Sequence, residues 1–271
     1  MNDISTNDVS RGQVIQSAAE VYDTFFVPAL FGEWGSRVAD AAGLAPGQTV
    51  LDVACGTGVF AREALSRVLP GGKVSGLDCN NDMLAVARRR EPHIDWQSGY
   101  AETMAFADNS FDVVASQFGL MFFEDRRMAL QQMWRVLRPD GCLVVAVWDA
   151  LERTPGYASM VALLRRLFGE RIANELRAPF VLGNTEELRT LFADAGITRI
   201  DIDTIVGTAR FPSIESWVHT DVKGWTLADL IDDSQYELLR TEAETELAHY
   251  RQADGKVVLD SPAHSVTARK H

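Results

Sequence analysis

The stretch TVLDVACGTG (49–58), together with Asp78 at the end of KVSGLD (73–78), decides the architecture of this chain. Val50, Leu51 and Val53 make a short apolar run, and Gly56 and Gly58 stand where a strand must turn abruptly into a helix. Without side chains there, the backbone can take unusual dihedrals and a ligand can come close. VFAREALSRVL (59–69) supplies the helix, and Pro70, Gly71 and Gly72 break the chain before the second strand. Asp78 ends that strand, twenty residues beyond Gly58. A carboxylate in that position can accept both hydroxyl hydrogens of a ribose. Asp52, just before the turn, is awkward beside a pyrophosphate but suits a ligand carrying positive charge or N–H donors. No lysine follows the glycines to pair a phosphate, which excludes a P-loop, whereas Ala61 is tolerated by the dinucleotide pattern.

Working outward, NNDMLAVARRR (80–90) reads as a helix capped by Asn80 or Asn81, and IDWQSG (94–99) as a third strand. FDVVASQFG (111–119) is a fourth strand, RMALQQMWRVL (127–137) a helix, PDG (139–141) a turn and CLVVAVW (142–148) a fifth strand. Apolar strands alternating with short helices predict an α/β fold with a parallel, doubly wound, Rossmann-like sheet covered on both faces. Upstream, the apolar spacing from Gln13 to Phe26 predicts a helix limited by Pro28 and Gly32, followed by a second helix from about Ala29 to Ala42. Downstream, SMVALLRRLFG (159–169) and TEELRTLFADAG (185–196), the latter capped by Thr185, read as helices. Two strands follow: ITRIDIDTIVG (197–207), and a sheet-edge strand in KVVLDSPAHSVTARK (256–270), interrupted or bulged at Ser261–Pro262. One domain over 1–271 is expected, with N-terminal helices in 1–45 and a ligand-binding core in 46–150. The segments 151–182 and 208–253 are expected to rise from the carboxyl edge of the sheet as helical lid insertions.

Composition limits the partners. Of 271 residues, 46% are hydrophobic and 24% charged, enough to close a core, and the formal net charge of −12 attracts no phosphate backbone. Three cysteines without ligand spacing suggest neither a disulfide framework nor a metal site, and the five histidines are scattered. The opening residues MNDISTNDVSRGQ lack a basic segment leading into an apolar one, and no apolar run reaches about 18 residues. A cytoplasmic protein without a membrane span is the expectation. Nothing in the sequence fixes whether it is a monomer or a homodimer.

The blocks LDVACGTG (51–58), GLDCNNDML (76–84), GYAETMAFADNSFDVV (99–114), SQFGLMFF (116–123) and ALQQMWRVLRPDGCLVVAVW (129–148) resemble, in this order, the class I S-adenosylmethionine-dependent methyltransferases. The chain looks closest to their small-molecule branch, which includes the ubiquinone and menaquinone methyltransferases. The resemblance implies a seven-stranded, mostly parallel sheet with one antiparallel strand, and S-adenosyl-L-methionine as cofactor. It places Asp52, Ala54, Cys55, Gly56 and Gly58 at the methionine part, and Asp78 at the ribose hydroxyls. Cys79 and Met83 would lie against the adenine, Ala101 and Glu102 along its edge, and Ser116 and Gln117 beneath the sulfonium, with Tyr22 closing over the methionine end. Two positions depart from the family pattern. Ala54 replaces a common glycine, read as mild because alanine can follow the strand, and Tyr100 stands where many relatives have an aspartate.

Plainer readings compete at several residues. Met83 shares a helix face with Val86 and Ala87, where core packing explains it as well as adenine contact does. Cys55 and Cys79 read as small fillers rather than nucleophiles. Phe118, Met121, Phe122 and Phe123 divide between pocket and core, and Arg88, Arg89 and Arg90 read as a solvated helix end whose cations offset the dipole. No residue announces itself as a general base, although Tyr22, Tyr157 and His219 could reach a cavity from its walls. Aromatic and aliphatic residues in the insertions, with Trp148, favour a small, largely apolar acceptor over nucleic acid. Two alternatives remain: a cofactor-binding protein that acts through its helical insertions without catalysis, and an NAD-dependent oxidoreductase, which Asp52 fits badly.

Overall fold

The computed structural model describes residues 18–223, 227 and 230–271. The polar residues 1–10 and the expected helix start at Gln13 lie outside them. Seven strands among the described residues form one sheet: β1 (Thr49–Val53), β2 (Lys73–Asp78), β3 (Asp95–Ser98), β4 (Phe111–Gln117), β5 (Leu137–Trp148), β6 (Asp201–Phe211) and β7 (Val257–Arg269). Their order is β3-β2-β1-β4-β5-β7-β6, and only β7 runs against its neighbours. The expected doubly wound fold is therefore present. Its connections reverse direction between β1 and β4, so the ligand crevice of such a sheet falls at their carboxyl ends.

Helices α3 (Val59–Val68), α4 (Asn81–Arg90) and α5 (Arg126–Val136) connect the parallel strands, and Asn80 caps α4 by accepting from the backbone of Asp82 and Met83. Val50, Leu51, Val53, Val114 and the run from Leu143 to Ala146 are wholly buried, as strands covered on both faces must be.

Several boundaries differ from those expected, each for a physical reason. Pro28 and Gly32 do not end the first helix. A short α1 (Ala18–Val21), a π-helical segment (Tyr22–Phe31) and α2 (Gly32–Ala42) run on continuously. The wider π turn absorbs a proline that would clash with the i−4 carbonyl of an α-helix. The turn at 139–141 is taken up within β5, where Asp140 sits at φ 62° and the register with β4 shifts. Asn184, not Thr185, caps α8 (Thr185–Asp194). Ile197 closes that helix by donating its N–H to the Phe192 carbonyl beyond Gly196, so β6 begins at Asp201 and runs past Gly207 to Phe211. The second insertion accordingly starts after Phe211.

The expected edge position of the last strand is also corrected. β7 is interior, between β5 and β6, and β6 is the edge. The β6–β7 register runs without a bulge through Val206↔Pro262. Pro262 is tolerated because β5 ends opposite Ala263, so the missing N–H falls past the end of that ladder.

His264, buried in β7, joins three elements. The Thr204 hydroxyl of β6 lies 2.9 Å from its Nδ1, while Nε2 lies 3.0 Å from the Gly183 carbonyl and 3.1 Å from Asp149 Oδ1. A proton on Nε2 faces both of those acceptors. His264→Ala should cost about 2–4 kcal/mol in urea unfolding, because Asp149 and the Gly183 carbonyl lose a buried donor together.

Candidate functional site

Two carboxylates, Asp52 of β1 and Asp78 at the end of β2, line one crevice beside the turn that follows β1. Gly56 (φ 54°) and Gly58 (φ 85°) bend the chain into α3, and a Cβ on Gly58 would lie 2.4 Å from the Trp96 ring. Gly58 offers α3 no side-chain cap. Asp52 substitutes for one through space, its Oδ2 accepting the Ala61 N–H at 3.1 Å in the first turn of the helix. Asp78 is held by two backbone donors, Gly56 N–H to Oδ2 and Asn80 N–H to Oδ1, both at 2.8 Å. Burial raises the Asp52 carboxyl from 3.8 to about 8; the Ala61 N–H and Arg62 oppose the rise and nearby Asp78 adds to it. Asp78 is also raised by burial, against its hydrogen bonds to Asn80, Gly56 and Cys79.

A cavity of about 260 Å³ opens between these acids at the carboxyl ends of β1, β2, β4 and β5. Tyr22, Asp52, Ala54, Cys55, Gly56, Asp78, Cys79, Met83 and Gln117 all line it. Ala101 and Glu102 line a second cavity of about 250 Å³ that shares Asp78, Cys79, Phe122 and Phe123 with the first. Glu102 Oε1 is already engaged by the backbone N–H groups of Glu124 and Asp125. Two expected residues stay off the cavity walls. Gly58 packs against Trp96, and Ser116 is buried beneath Gly119. Among the described residues Gln117 Oε1 and Thr57 Oγ1 are buried without a hydrogen-bond partner, which fits a ligand that brings its own donors. Burial raises the Cys55 thiol well above its usual range, leaving it an inert filler. Tyr22 is raised too, chiefly by burial and then by Asp78, so its phenol remains a donor.

Ala54 does not follow the strand as expected. Its φ is 59°, in the left-handed region, and Gly119 makes room for it, since a Cβ there would lie 2.6 Å from the Ala54 Cβ. The arginine cluster is likewise more than a solvated helix end. Arg89 pairs with Glu20 at 2.9 Å, Arg90 with the buried Asp23 (Nε to Oδ2, 2.7 Å), and Arg88 donates to the Trp96 carbonyl. Those two pairs fasten the N-terminal helical segment, and with it Tyr22, to α4.

The sequence reading missed Phe31, Asn80 and Gly119 on the cavity wall. Asn80 was legible only as a cap. Phe31 reaches the site because the helical run does not stop at Pro28. It stacks on Tyr22 (5.3 Å between centroids) and packs against Phe118 and Trp148, which are themselves stacked at 3.8 Å. Behind this aromatic wall lies a chamber of about 30 Å³ that shares Phe31 and Trp148 with the larger cavity. The π-helical segment, the insertion helix α6 (Pro155–Phe168) through Tyr157, and Asp221 of α9 (Ile214–Lys223) all meet there. His219 packs edge-on to Phe25 and is on the wall of neither cavity nor chamber; burial, reinforced by Lys223, lowers its pKa. Among the described residues no cluster of His, Cys, Asp and Glu could hold a metal ion, and no helix is long and apolar enough to cross a membrane.

The profile of the ubiE/COQ5 methyltransferase family matches residues 4–209. The chain belongs to this family. A demethylmenaquinone methyltransferase of Chlorobaculum parvum is 46% identical over 96 residues, which is 35% of this chain and 39% of that protein. Its counterpart in Renibacterium salmoninarum is 46% identical over 42% of this chain and 46% of its own length. The chain thus matches less than half the length of these two relatives. A Staphylococcus aureus demethylmenaquinone methyltransferase is 30% identical over 76% of the chain and 92% of its own length. A putative methyltransferase of Anabaena variabilis shares the fold with a TM-score of 0.66 at 18% identity, over 87% of this chain and 96% of that one. A Haemonchus contortus phosphoethanolamine N-methyltransferase in complex with S-adenosyl-L-methionine shares it at 0.62 and 20% identity, over 97% of this chain and 59% of that one. The fold expected for this family member, seven strands with one antiparallel, is the one observed.

Between pH 3.8 and about 8 the folded chain keeps a proton on Asp52 that the unfolded chain has lost. Stability therefore falls as pH rises through that window. Asp52→Asn removes this group and should flatten the slope, leaving the variant better placed against wild type at pH 8 than at pH 4.5 by ~1 kcal/mol or more. Unfolding midpoints measured at the two pH values check this.

Proposed function

We propose that this chain is a methyltransferase that holds S-adenosyl-L-methionine in the larger cavity and a small, largely apolar organic acceptor against the aromatic wall and the chamber behind it. The observation that carries the reading is the pair of acids lining one crevice at the sheet's carboxyl edge. Asp78 suits a ribose diol, and Asp52 with the unpartnered Gln117 Oε1 suits a ligand end rich in N–H donors or positive charge. Asp52 beside the turn fits a dinucleotide pyrophosphate poorly, so the nicotinamide reading is set aside. When bound, S-adenosyl-L-methionine supplies a sulfonium methyl that a nucleophile takes by in-line displacement, the sulfur leaving as a neutral thioether.

The chain's own residues do the rest. The Ala54–Gly58 turn and Asp52 hold the methionine end, and Asp78 fixes the ribose through oxygens already oriented by the N–H groups of Gly56 and Asn80. Met83 and Cys79 flank the adenine, with Ala101 and Glu102 along its edge in the second cavity. Tyr22 closes over the methionine end from the helical segment pinned by Arg89 and Arg90. The insertions form a helical cover that excludes water from the methyl. Demethylmenaquinone, named for the relatives, is the first acceptor to try. Incubation with methyl-labelled S-adenosyl-L-methionine and a fractionated extract should put label in low-mass, organic-soluble material. Label confined to nuclease-sensitive material would overturn the acceptor class.

Asp78→Ala should keep the fold and weaken S-adenosyl-L-methionine binding by ~1–3 kcal/mol, the range for losing a charge-assisted partner. Calorimetry reads this directly, and unchanged affinity would sink the ribose assignment. A cation arriving beside Asp52 favours its ionised form, so binding at pH 7 should also release protons, seen as an enthalpy that varies with the buffer.

A further inference from the structure

Most arginine clusters of this acidic chain are matched by acids. Arg67, Arg89, Arg90, Arg135, Arg138 and Arg166 each pair with a carboxylate. Arg199 and Arg269 do not. Among the described residues neither guanidinium makes a hydrogen bond or an ion pair. Both line one cavity of about 440 Å³ at the amino edge of the sheet, the edge away from the cofactor crevice. The strands bring them together. Arg269 of β7 is in register with Cys142 of β5, and Thr267 with Val144 of β5 and Asp201 of β6. Paired residues share a face of the sheet, as do residues two apart along a strand, so Arg269, Thr267 and Asp201 stand on one face. Continuing the β6–β7 register by two residues sets Arg199 opposite Arg269. Like charges placed so destabilise a strand pair. Arg269 is partly offset by the carbonyl end of α2, since a Cβ on Gly43 would lie 4.0 Å from its Nη2. The second cation is left to explain.

The geometry points to this cavity as a second binding site, one that takes a small phosphate monoester carrying a hydroxyl group. Two guanidiniums on one wall offer forked donors that hold a phosphate at more than one oxygen, and a dianion between them replaces their repulsion by attraction. The volume lies in the usual range of small-molecule pockets, about 300–1,000 Å³. Much of the remaining wall is polar: Thr198, Asp201, Thr267 and His271. Asp201 repels the phosphate, so it faces another part of the ligand. An ionised carboxylate only accepts, and a hydroxyl beside the phosphate supplies the donor it needs. The threonine hydroxyls donate or accept as that group requires. A polyphosphate is disfavoured, because its further charge would fall on Asp201, and a long polyanion is disfavoured by the net charge of −12. The site stands apart from the methyltransferase reading and does not depend on it.

Calorimetry of the full chain in phosphate-free buffer, with sn-glycerol 3-phosphate and methyl phosphate as probes, tests this. Wild type should bind the glycerol ester saturably and about fivefold more tightly than methyl phosphate, with the same affinity when S-adenosylhomocysteine is present. Arg199→Gln and Arg269→Gln should each weaken both esters about tenfold or more. Asp201→Ala should bind methyl phosphate at least as tightly as wild type does and lose the preference for the glycerol ester. Without ligand, Arg199→Gln should melt no lower than wild type, since it loses only a repulsion. The proposal is overturned by the absence of saturable binding, by undiminished binding in both arginine variants, or by a preference that survives Asp201→Ala. Competition by S-adenosylhomocysteine would put the ester in the cofactor crevice, and a large drop in the melting temperature of Arg199→Gln would make that arginine structural; each overturns it too. A last arm sediments the chain with vesicles of phosphatidic acid in phosphatidylcholine. Co-sedimentation without binding of the soluble ester would assign the arginines to a lipid headgroup and overturn the small-molecule site.

Discussion

A carboxylate buried at the start of a helix organises this molecule. Asp52, the penultimate residue of β1, is buried and takes an N–H from the first turn of α3, a turn that Gly58 leaves uncapped. Burial and the neighbouring Asp78 work against its charge, and one helix N–H with Arg62 compensates only in part. Such a group stays in place when something outside the chain completes its partners. The left-handed turn, the close approach of Gly119 to Ala54 and the two N–H groups on Asp78 all keep that place open and shaped.

The second constraint is the covering of the crevice. A helical run that would ordinarily stop at Pro28 continues as a π segment, which carries Tyr22 and Phe31 over the carboxyl edge of the sheet. Arg89 and Arg90 hold its beginning against α4, and ring stacking among Tyr22, Phe31, Phe118 and Trp148 holds its end. The wall so made separates the large, acid-flanked cavity from the small, aromatic one. The sheet's carboxyl edge thus walls the larger cavity, and the N-terminal segment and the insertions supply most of the wall of the smaller one.

His264 shows how the irregular half is tied to the regular one. A single buried ring reaches β6 through Thr204, the end of β5 through Asp149 and the end of the first insertion through Gly183. The histidine was legible in the sequence only as one of five scattered rings. Its partners stand 60, 81 and 115 residues away, separations at which no local pattern can operate.

By itself the sequence determined what depends on local periodicity and short-range sterics. The strands β1 to β5, their connecting helices, the glycine turn and the placing of Asp52 and Asp78 at strand ends all follow from apolar runs and turn residues within about 30 positions. Most of the expected site residues do line the two cavities, because a βα turn at a sheet's carboxyl edge has little freedom in where it points its neighbours. The tertiary structure decided what depends on who packs against whom. It set the interior position of β7, the continuation through Pro28, the positive φ of Ala54 against Gly119, and the pairing of Arg89 and Arg90 with the N-terminal segment. It alone brought Tyr157, Trp217 and Asp221 together in the interior, since which buried polar groups meet in space leaves no trace in their spacing along the chain.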